Sequence, residues 1–446
     1  MRRRTFVASA AALAASACSA GALAPTLLAA STLIRREVGD FASDPVRVAS
    51  LRRAVAAMRA VVDPTDERSW TYWHYSHWMP NGMTPPPAMA SVWNQCKHGR
   101  PYFYAWHRGF LAYFERMLQQ MSGDPTLALP YWDYYAHPDV PAIFATPTLG
   151  DGSTNPLYWA NRVNSTVTGL VYAPFDAAIT TFADGDPDGV TFEAIVEENP
   201  HGQVHDEIGG DMGSVPTAAR DPVFWVHHCN VDRLWSAWLA AGGGRRMPPQ
   251  SDPYYAQASF AYDVAGTWRA PVAPMADSST LGYTWSDLSL PVAPSTPLPT
   301  EPLARVRGVA ITGANAVSLD GNGATVHVPL GAPVAGGTAI DLVLSDVRLG
   351  AAGANGGFAF NVFVNLPTAS TPGTRESAYY VDSFGSFEIS IEQVMGMTPI
   401  TLNFSMQRPL ALQGGTFAAL DISFVAYGNP GAGPLVTIAN VAVAPA

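Results

Sequence analysis

Three stretches of the chain carry apolar residues at helical spacing. Between Val46 and Val61, the residues Val48, Leu51, Val55 and Met58 fall on one side of a helix. From Arg108 to Met121, Phe110, Leu111, Phe114, Leu118 and Met121 recur with the same period. His107 lies in phase with them, so its imidazole is expected to point into the core. Asp221 to Ala240 is the third: Asp221-Pro222 marks a helix start, and Phe224, His228, Val231 and Trp235 share a face. Residues 37 to about 135 therefore read as largely helical. Residues 138–192, rich in Pro, Gly, Asp and Thr, read as long loops of the kind that carry function in compact domains.

Beyond a Pro/Thr/Ser stretch from Val292 to Pro302 the pattern switches to alternation. Thr325–Val328, Phe358–Val364, Phe387–Ile391, Leu420–Val425 and Val436–Val441 each run with period two, with Gly and Pro between them. This predicts an antiparallel sandwich or barrel of roughly seven strands. The expected fold class is a mainly α domain, a four-helix bundle with long loops, followed by an all-β domain. The boundaries that follow are a leader over 1–30, the helical domain over 33–290, a linker over 291–303 and the β domain over 304–446.

Length supports this division, because 446 residues exceed one typical domain. A hydrophobic content of 48% is ample for packed cores. Charged residues are only 14% and the formal net charge is -11, which argues against nucleic-acid binding, since that needs a basic face. At the N-terminus, Arg2-Arg3-Arg4-Thr5-Phe6-Val7 precedes an Ala/Leu stretch that runs to Ala17. It resembles a twin-arginine export signal and predicts a periplasmic or secreted protein. The apolar stretch is shorter than the roughly 20 residues a membrane span requires. Ala22-Leu23-Ala24 is the candidate cleavage site. Only Cys96 and Cys229 then remain, which rules out a disulfide scaffold but leaves a single bridge between them open.

The chemistry is concentrated in histidine. One cluster comprises His77, Cys96-Lys97-His98 and Trp106-His107-Arg108. The other comprises His201-Gly202-Gln203-Val204-His205 and the later His227-His228-Cys229-Asn230-Val231-Asp232. A lone histidine on an apolar face is ordinarily a satisfied core residue, but two matched groups of three are not a packing pattern. Neutral imidazole suits copper, zinc, iron and nickel. Three imidazoles per ion, with no carboxylate among them, fit copper best. His201 and His205 stand one turn apart on a helix and can grip one ion. A zinc hydrolase ordinarily adds a carboxylate ligand or the glutamate of H-E-x-x-H, whereas Gly, Gln and Val intervene here. The third ligand of this group falls to the His227-His228 pair, and periodicity favours His228. Asp232, one turn further on, is placed either to fix a histidine tautomer or to pair with an arginine.

With these motifs together, the chain resembles the tyrosinase, catechol oxidase and haemocyanin family of type-3 copper proteins over about residues 33–290. The resemblance rests on the two histidine groups, Asp66-Glu-Arg-Ser-Trp-Thr-Tyr ahead of His77, and Pro130-Tyr-Trp-Asp133. It implies two copper ions, one on His77, His98 and His107 and the other on His201, His205 and His228. His74 is the alternative to His77. It also implies oxidation of o-diphenols to o-quinones with dioxygen. A small phenolic substrate is expected, with no nucleic-acid partner and no membrane span. A dioxygen carrier uses the same ion pair without catalysis, and a zinc hydrolase is a third reading. Cys96, two residues before His98, matches the spacing of a family thioether to that histidine. Phe224 matches the family's gate residue, against a bland role in core packing. Glu197 matches a glutamate that holds a water for monophenol deprotonation. Gly202 stands where an asparagine assists it, so diphenol oxidation is expected to dominate. Leu281-Gly-Tyr-Thr-Trp-Ser-Asp-Leu resembles the tyrosine motif that closes the catalytic region of plant polyphenol oxidases. Asp341-Leu-Val-Leu-Ser-Asp-Val and Phe384-Gly-Ser-Phe-Glu-Ile resemble their C-terminal domain, which implies either a β domain that shields the active site or a binding or stability module.

Overall fold

The computed structural model describes residues 32–445, apart from 81, 99–101, 169, 171, 183–190, 258, 294–309, 313–315, 368–377, 395, 397–398 and 429–431. The leader expected over 1–30 and most of the linker lie outside the described residues.

Five of the helices in the part that carries the histidines frame the site. Helix α1 (Pro45–Ala60) starts at Asp44, whose carboxylate accepts the amides of Val46 and Arg47, with Pro45 at the first helical position. Helix α2 (Trp70–His77) is capped by the Ser69 hydroxyl on the amide of Thr71. Helix α3 (Phe103–Ser122) ends at Gly123, whose φ of 70° is the left-handed stop that glycine supplies most cheaply. Helix α4 (Gln203–Ile208) continues a wider, kinked turn over Glu197–Gly202. Helix α5 (Pro222–Ala240) starts at Asp221, whose carboxylate caps the amide of Val223 and also pairs with Arg162. Helix α3 packs on both α1 and α5. The apolar faces predicted for α1, α3 and α5 are buried in one core with Trp73, Trp106, Trp132 and Trp225.

A short parallel pairing closes this part. Strand β1 (Leu33–Arg35) lies beside β2 (Tyr283–Trp285), with Arg35 opposite Trp285. The Arg35 guanidinium sits over the Tyr283 ring at 3.6 Å and, with no exposed surface, pairs with Glu115 and Asp232. Asp232 also accepts from Arg108 at 2.5 Å and from the Tyr283 hydroxyl at 2.5 Å. Its carboxylate therefore ties α5 to α3 and to both ends of the helical part, and it holds no histidine. Of the two roles open to it from sequence, the arginine pairing is the one realised. Removing one partner from a buried network strands the others, which is why such networks are rigid.

The C-terminal part is two packed sheets. Its strands are β3 (Ala310–Thr312), β4 (Val317–Leu319), β5 (Ala324–Ala335), β6 (Ile340–Leu349), β7 (Phe358–Val364), β8 (Tyr380–Gly385), β9 (Thr401–Ser405), β10 (Thr416–Gly428) and β11 (Val436–Pro445). One sheet runs β8-β7-β10-β5-β3 and the other β9-β6-β11-β4. All neighbours are antiparallel except β3 with β5. Ile422 of β10 faces Val326 on one side and Val364 on the other, and Leu344 of β6 faces Val441 of β11. These inward residues form a second core. Every residue of β7 is buried, because α4 of the helical part covers its outer face. Gly209 (φ 62°) and Gly357 (φ 83°) meet at this seam, where a side chain on either would strike the other chain segment.

One predicted strand is not a strand. Ser386–Val394, which contains the alternating run Phe387–Ile391, is helix α6. Alternation over five residues also places Phe387, Ile391 and Val394 one turn apart on a helix. Those three pack on the helical part's core, while Ile389 enters the sheet core. Helix α6 is thus buried on two faces between the two parts.

Candidate metal centre

Helices α2, α3, α4 and α5 bring the two histidine clusters together in the interior. His77, His98 and His107 gather with Cys96, and His201 and His205 gather with His227 and His228. Within each group the potential ligand atoms all lie within 4.8 Å of one another, and all eight residues are buried. The groups face each other: the His107 and His228 rings stack at 4.4 Å, and those of His98 and His201 at 5.6 Å. His74 belongs to neither group, since its Nε2 lies 2.8 Å from the carbonyl of Pro216.

Backbone carbonyls orient four of the rings. The Nδ1 atoms of His107 and His201 reach the carbonyls of Phe103 and Glu197, one turn earlier, at 2.8 and 2.7 Å. His205 Nδ1 reaches Met212 at 2.8 Å, and His77 Nδ1 reaches Val215 at 3.2 Å. A carbonyl only accepts, so each Nδ1 carries the proton and each Nε2 presents a bare lone pair. Burial and mutual proximity keep the rings neutral. Burial holds His77 and His201 down to about 3 and pushes His98, His107, His205 and His228 well below their ordinary value. The Nε2 atoms of His77 and His201 are buried with no hydrogen-bond partner. A bare, neutral, inward-facing nitrogen is what a transition metal requires and what an empty apolar core does not tolerate. The donor set therefore fits two copper ions.

The surroundings are apolar. The Phe224 ring lies 4.9 Å from His77 and 4.2 Å from His228, with no exposed surface. Glu197 is buried just before the second group. The Cys96 thiol is pushed up by burial and then by the negative charge of Glu197. Cys96 and Cys229 are both free and buried, so the bridge left open by sequence is not formed. Cys96 Sγ lies 3.3 Å from His98 Nδ1 and 3.7 Å from His98 Nε2. The same sulfur lies 3.3 Å from His107 Nε2.

The sequence reading missed one residue at the site. Phe387 of α6 stacks on His205 with ring centroids 3.9 Å apart and planes 4° from parallel, and it touches His98 and His201 edge-on. Its amide donates to Asp206, directly after His205, at 2.7 Å. Ser390 of the same helix accepts from the amide of Val215 at 2.8 Å. Gly202 meets α6 as well: a Cβ there would overlap the Glu388 carboxylate. The Phe384-Gly-Ser-Phe segment could have signalled this contact only had α6 been recognised as a helix.

Fold and site together define a pair of histidine-rich groups that could hold two copper ions, in a helical bundle overlaid by a β-sandwich. The family model described as the common central domain of tyrosinase matches residues 67–172 and 145–241. Residues 67–241 are thus similar to the central domain of tyrosinase. A tyrosinase of Hahella sp. (strain CCB-MM4), HcTyr1, is 35% identical over 207 residues, 39% of this chain and 43% of that protein. Aureusidin synthase of Antirrhinum majus is 27% identical over 325 residues, 60% of this chain and 54% of that one. The chain therefore spans about half the length of the curated relatives it matches. The structure of latent apple tyrosinase superposes with a TM-score of 0.60 at 21% identity, covering 93% of this chain and 97% of that chain. That likeness extends the shared fold across the β part.

Proposed function

We propose that this protein is a copper-dependent oxidase of o-diphenols, held in a covered state by its β domain. The observation that carries this reading is the facing pair of buried, neutral histidine groups. His77, His98 and His107 would hold one copper ion, and His201, His205 and His228 the other. When bound, the copper pair supplies electron exchange between diphenol and dioxygen, two diphenols yielding two quinones and two waters. The chain's own residues do the rest. Carbonyl-anchored Nδ1 protons fix the rings before any ion arrives. Phe224 keeps water from the space between the groups. A substrate ring would stack on His205, where Phe387 now lies. Glu197 is the buried carboxylate placed to hold a water or accept a phenolic proton. Residue 202 offers no side chain to assist it, so catechols should outrun monophenols such as tyrosine. Export of the folded protein through the twin-arginine route accords with Arg2-Arg3-Arg4-Thr5-Phe6. Among the described residues, no helix is long and apolar enough to cross a membrane.

Copper loading of the purified full-length protein tests this reading. About one ion per histidine group and copper-dependent quinone formation from a catechol are expected. Phe387→Ala should raise that rate at least tenfold with copper content unchanged. Zinc in preference to copper, or reversible oxygen uptake without quinone, would overturn the assignment. A Phe387→Ala protein no faster than the parent would remove the covering role.

Cys96 and His98 are further proposed to join through a thioether in air once copper is present, the thiol S–H and one ring C–H being lost as dioxygen takes up the two electrons and two protons to give hydrogen peroxide. Cys96 should then resist alkylation under denaturing conditions, and a freely alkylated Cys96 would exclude the bond.

A further inference from the structure

We infer that the ring site on His205 takes catechols carrying an aminoethyl chain, with Asp206 the acceptor for the substrate's ammonium. This rests on the oxidase reading above and names its substrate class. Phe387 lies where a substrate ring would stack, 3.9 Å from His205, and touches His98 and His201 edge-on, so it meets both histidine groups. Its backbone nitrogen, joined to that ring through Cα and Cβ, donates to Asp206 Oδ1 at 2.7 Å. A ring, two carbons and a nitrogen are the skeleton of an arylethylamine. The covering residue therefore displays, atom for atom, a ligand that the surface beneath it fits.

Both halves of that surface come from adjacent residues of α4. His205 supplies the stacking face, its Nδ1 anchored on the carbonyl of Met212 at 2.8 Å. Asp206, buried beside it, supplies the carboxylate. Their spacing is thus fixed by one peptide unit of the helical part and does not depend on the β part. Gly385 lets the covering segment come this close, since a Cβ there would overlap the Asp206 carboxylate. Asp206 Oδ1 also accepts from the Ser386 hydroxyl at 3.1 Å, and its carboxyl bonds with that of Glu388. Ser386, Phe387 and Glu388 all belong to α6 and depart with it when a substrate takes the place of Phe387. An acceptor stripped of its donors is costly unless the incoming molecule replaces them. An ammonium does so with a charge-assisted bond, stronger than the neutral amide bond it displaces. A neutral chain leaves Asp206 unpaired, and an acidic chain sets two carboxyl groups together, which disfavours their charged forms. Substrate charge, beyond the catechol ring itself, should therefore set the preference.

The test sets three catechols in competition for the copper-loaded full-length protein: one with an aminoethyl, one with an ethyl and one with a carboxyethyl chain. All three need α6 displaced, so ratios of kcat/KM cancel the opening step. The aminoethyl compound should be preferred to the ethyl compound by about tenfold or more, and the carboxyethyl compound should rank last. Asp206→Asn keeps the size of the side chain and removes its charge, and it should collapse the preference for the amine. A second readout needs no copper: amide hydrogen exchange over Ser386–Val394 in the metal-free full-length protein. Phenylethylamine should speed exchange there, because it competes with Phe387 for one place, and phenylpropionate should not. Equal kcat/KM for the three catechols, a preference that survives Asp206→Asn, or exchange indifferent to phenylethylamine would overturn the inference. Should Asp206→Asn not fold, the parent's ranking and its exchange pattern still decide. No turnover of any catechol would instead sink the oxidase reading.

Discussion

At the scale of single residues, proton placement on histidine is the recurring device. His74 illustrates it outside the metal centre. Its ring is buried against the carbonyl of Pro216, and burial lowers its pKa to about 4. The unfolded chain binds a proton there near the ordinary value of 6.5, so acid favours unfolding. The contribution is fully present above about pH 6.5 and is lost as pH falls toward 4, amounting to about 3 kcal/mol at most. His74→Gln, whose amide can still donate to Pro216, should flatten that part of the stability profile in urea titrations between pH 7 and 4. An unchanged profile would assign the acid sensitivity to other groups. His77, three residues on, is legible as a ligand only by its place in the Ser69-Trp-Thr-Tyr segment, because both histidines lie on the same short helix.

At the scale of elements, caps and faces decide. Asp221 terminates the preceding loop, caps α5 and pairs with Arg162, which is itself 8% exposed. Losing the cap costs about 1 kcal/mol, and stranding a buried guanidinium adds to it. Asp221→Ala should therefore lose at least about 2 kcal/mol in equilibrium unfolding, together with copper retention, because α5 carries His228. Loss of stability without loss of copper would show that α5 is positioned by its packing rather than by its start. The faces of α1, α3 and α5 were readable because long amphipathic patterns admit one solution. Helix α6 was not, since Phe387–Ile391 is too short to separate a period of two from one of 3.6, and both its faces are buried.

For the whole molecule, the metal centre is also a joint. Helices α2 to α5 each contribute a wall of neutral imidazole or aromatic side chain, and α6 closes it from the β part. Ions bound only by the folded state stabilise it by mass action, about 4 kcal/mol at a thousandfold excess over the dissociation constant. Chelation should consequently lower the melting temperature of the copper-loaded protein and make that temperature depend on copper concentration. A melting curve indifferent to chelator would mean that the ions do not bridge the helices.

Local chemistry was settled by the order of residues. That order specified the helix faces, the alternation of most strands, the absence of a disulfide scaffold and the two groups of imidazoles, because each follows from period, spacing or side-chain type. Folding in three dimensions decided which contacts long separations in sequence permit. It set Asp232 against Arg35 and Arg108 rather than a histidine, turned His227 toward the second group, and laid Phe387 on His205. Those partners lie up to 197 residues apart, and no local pattern encodes a distance that only packing closes.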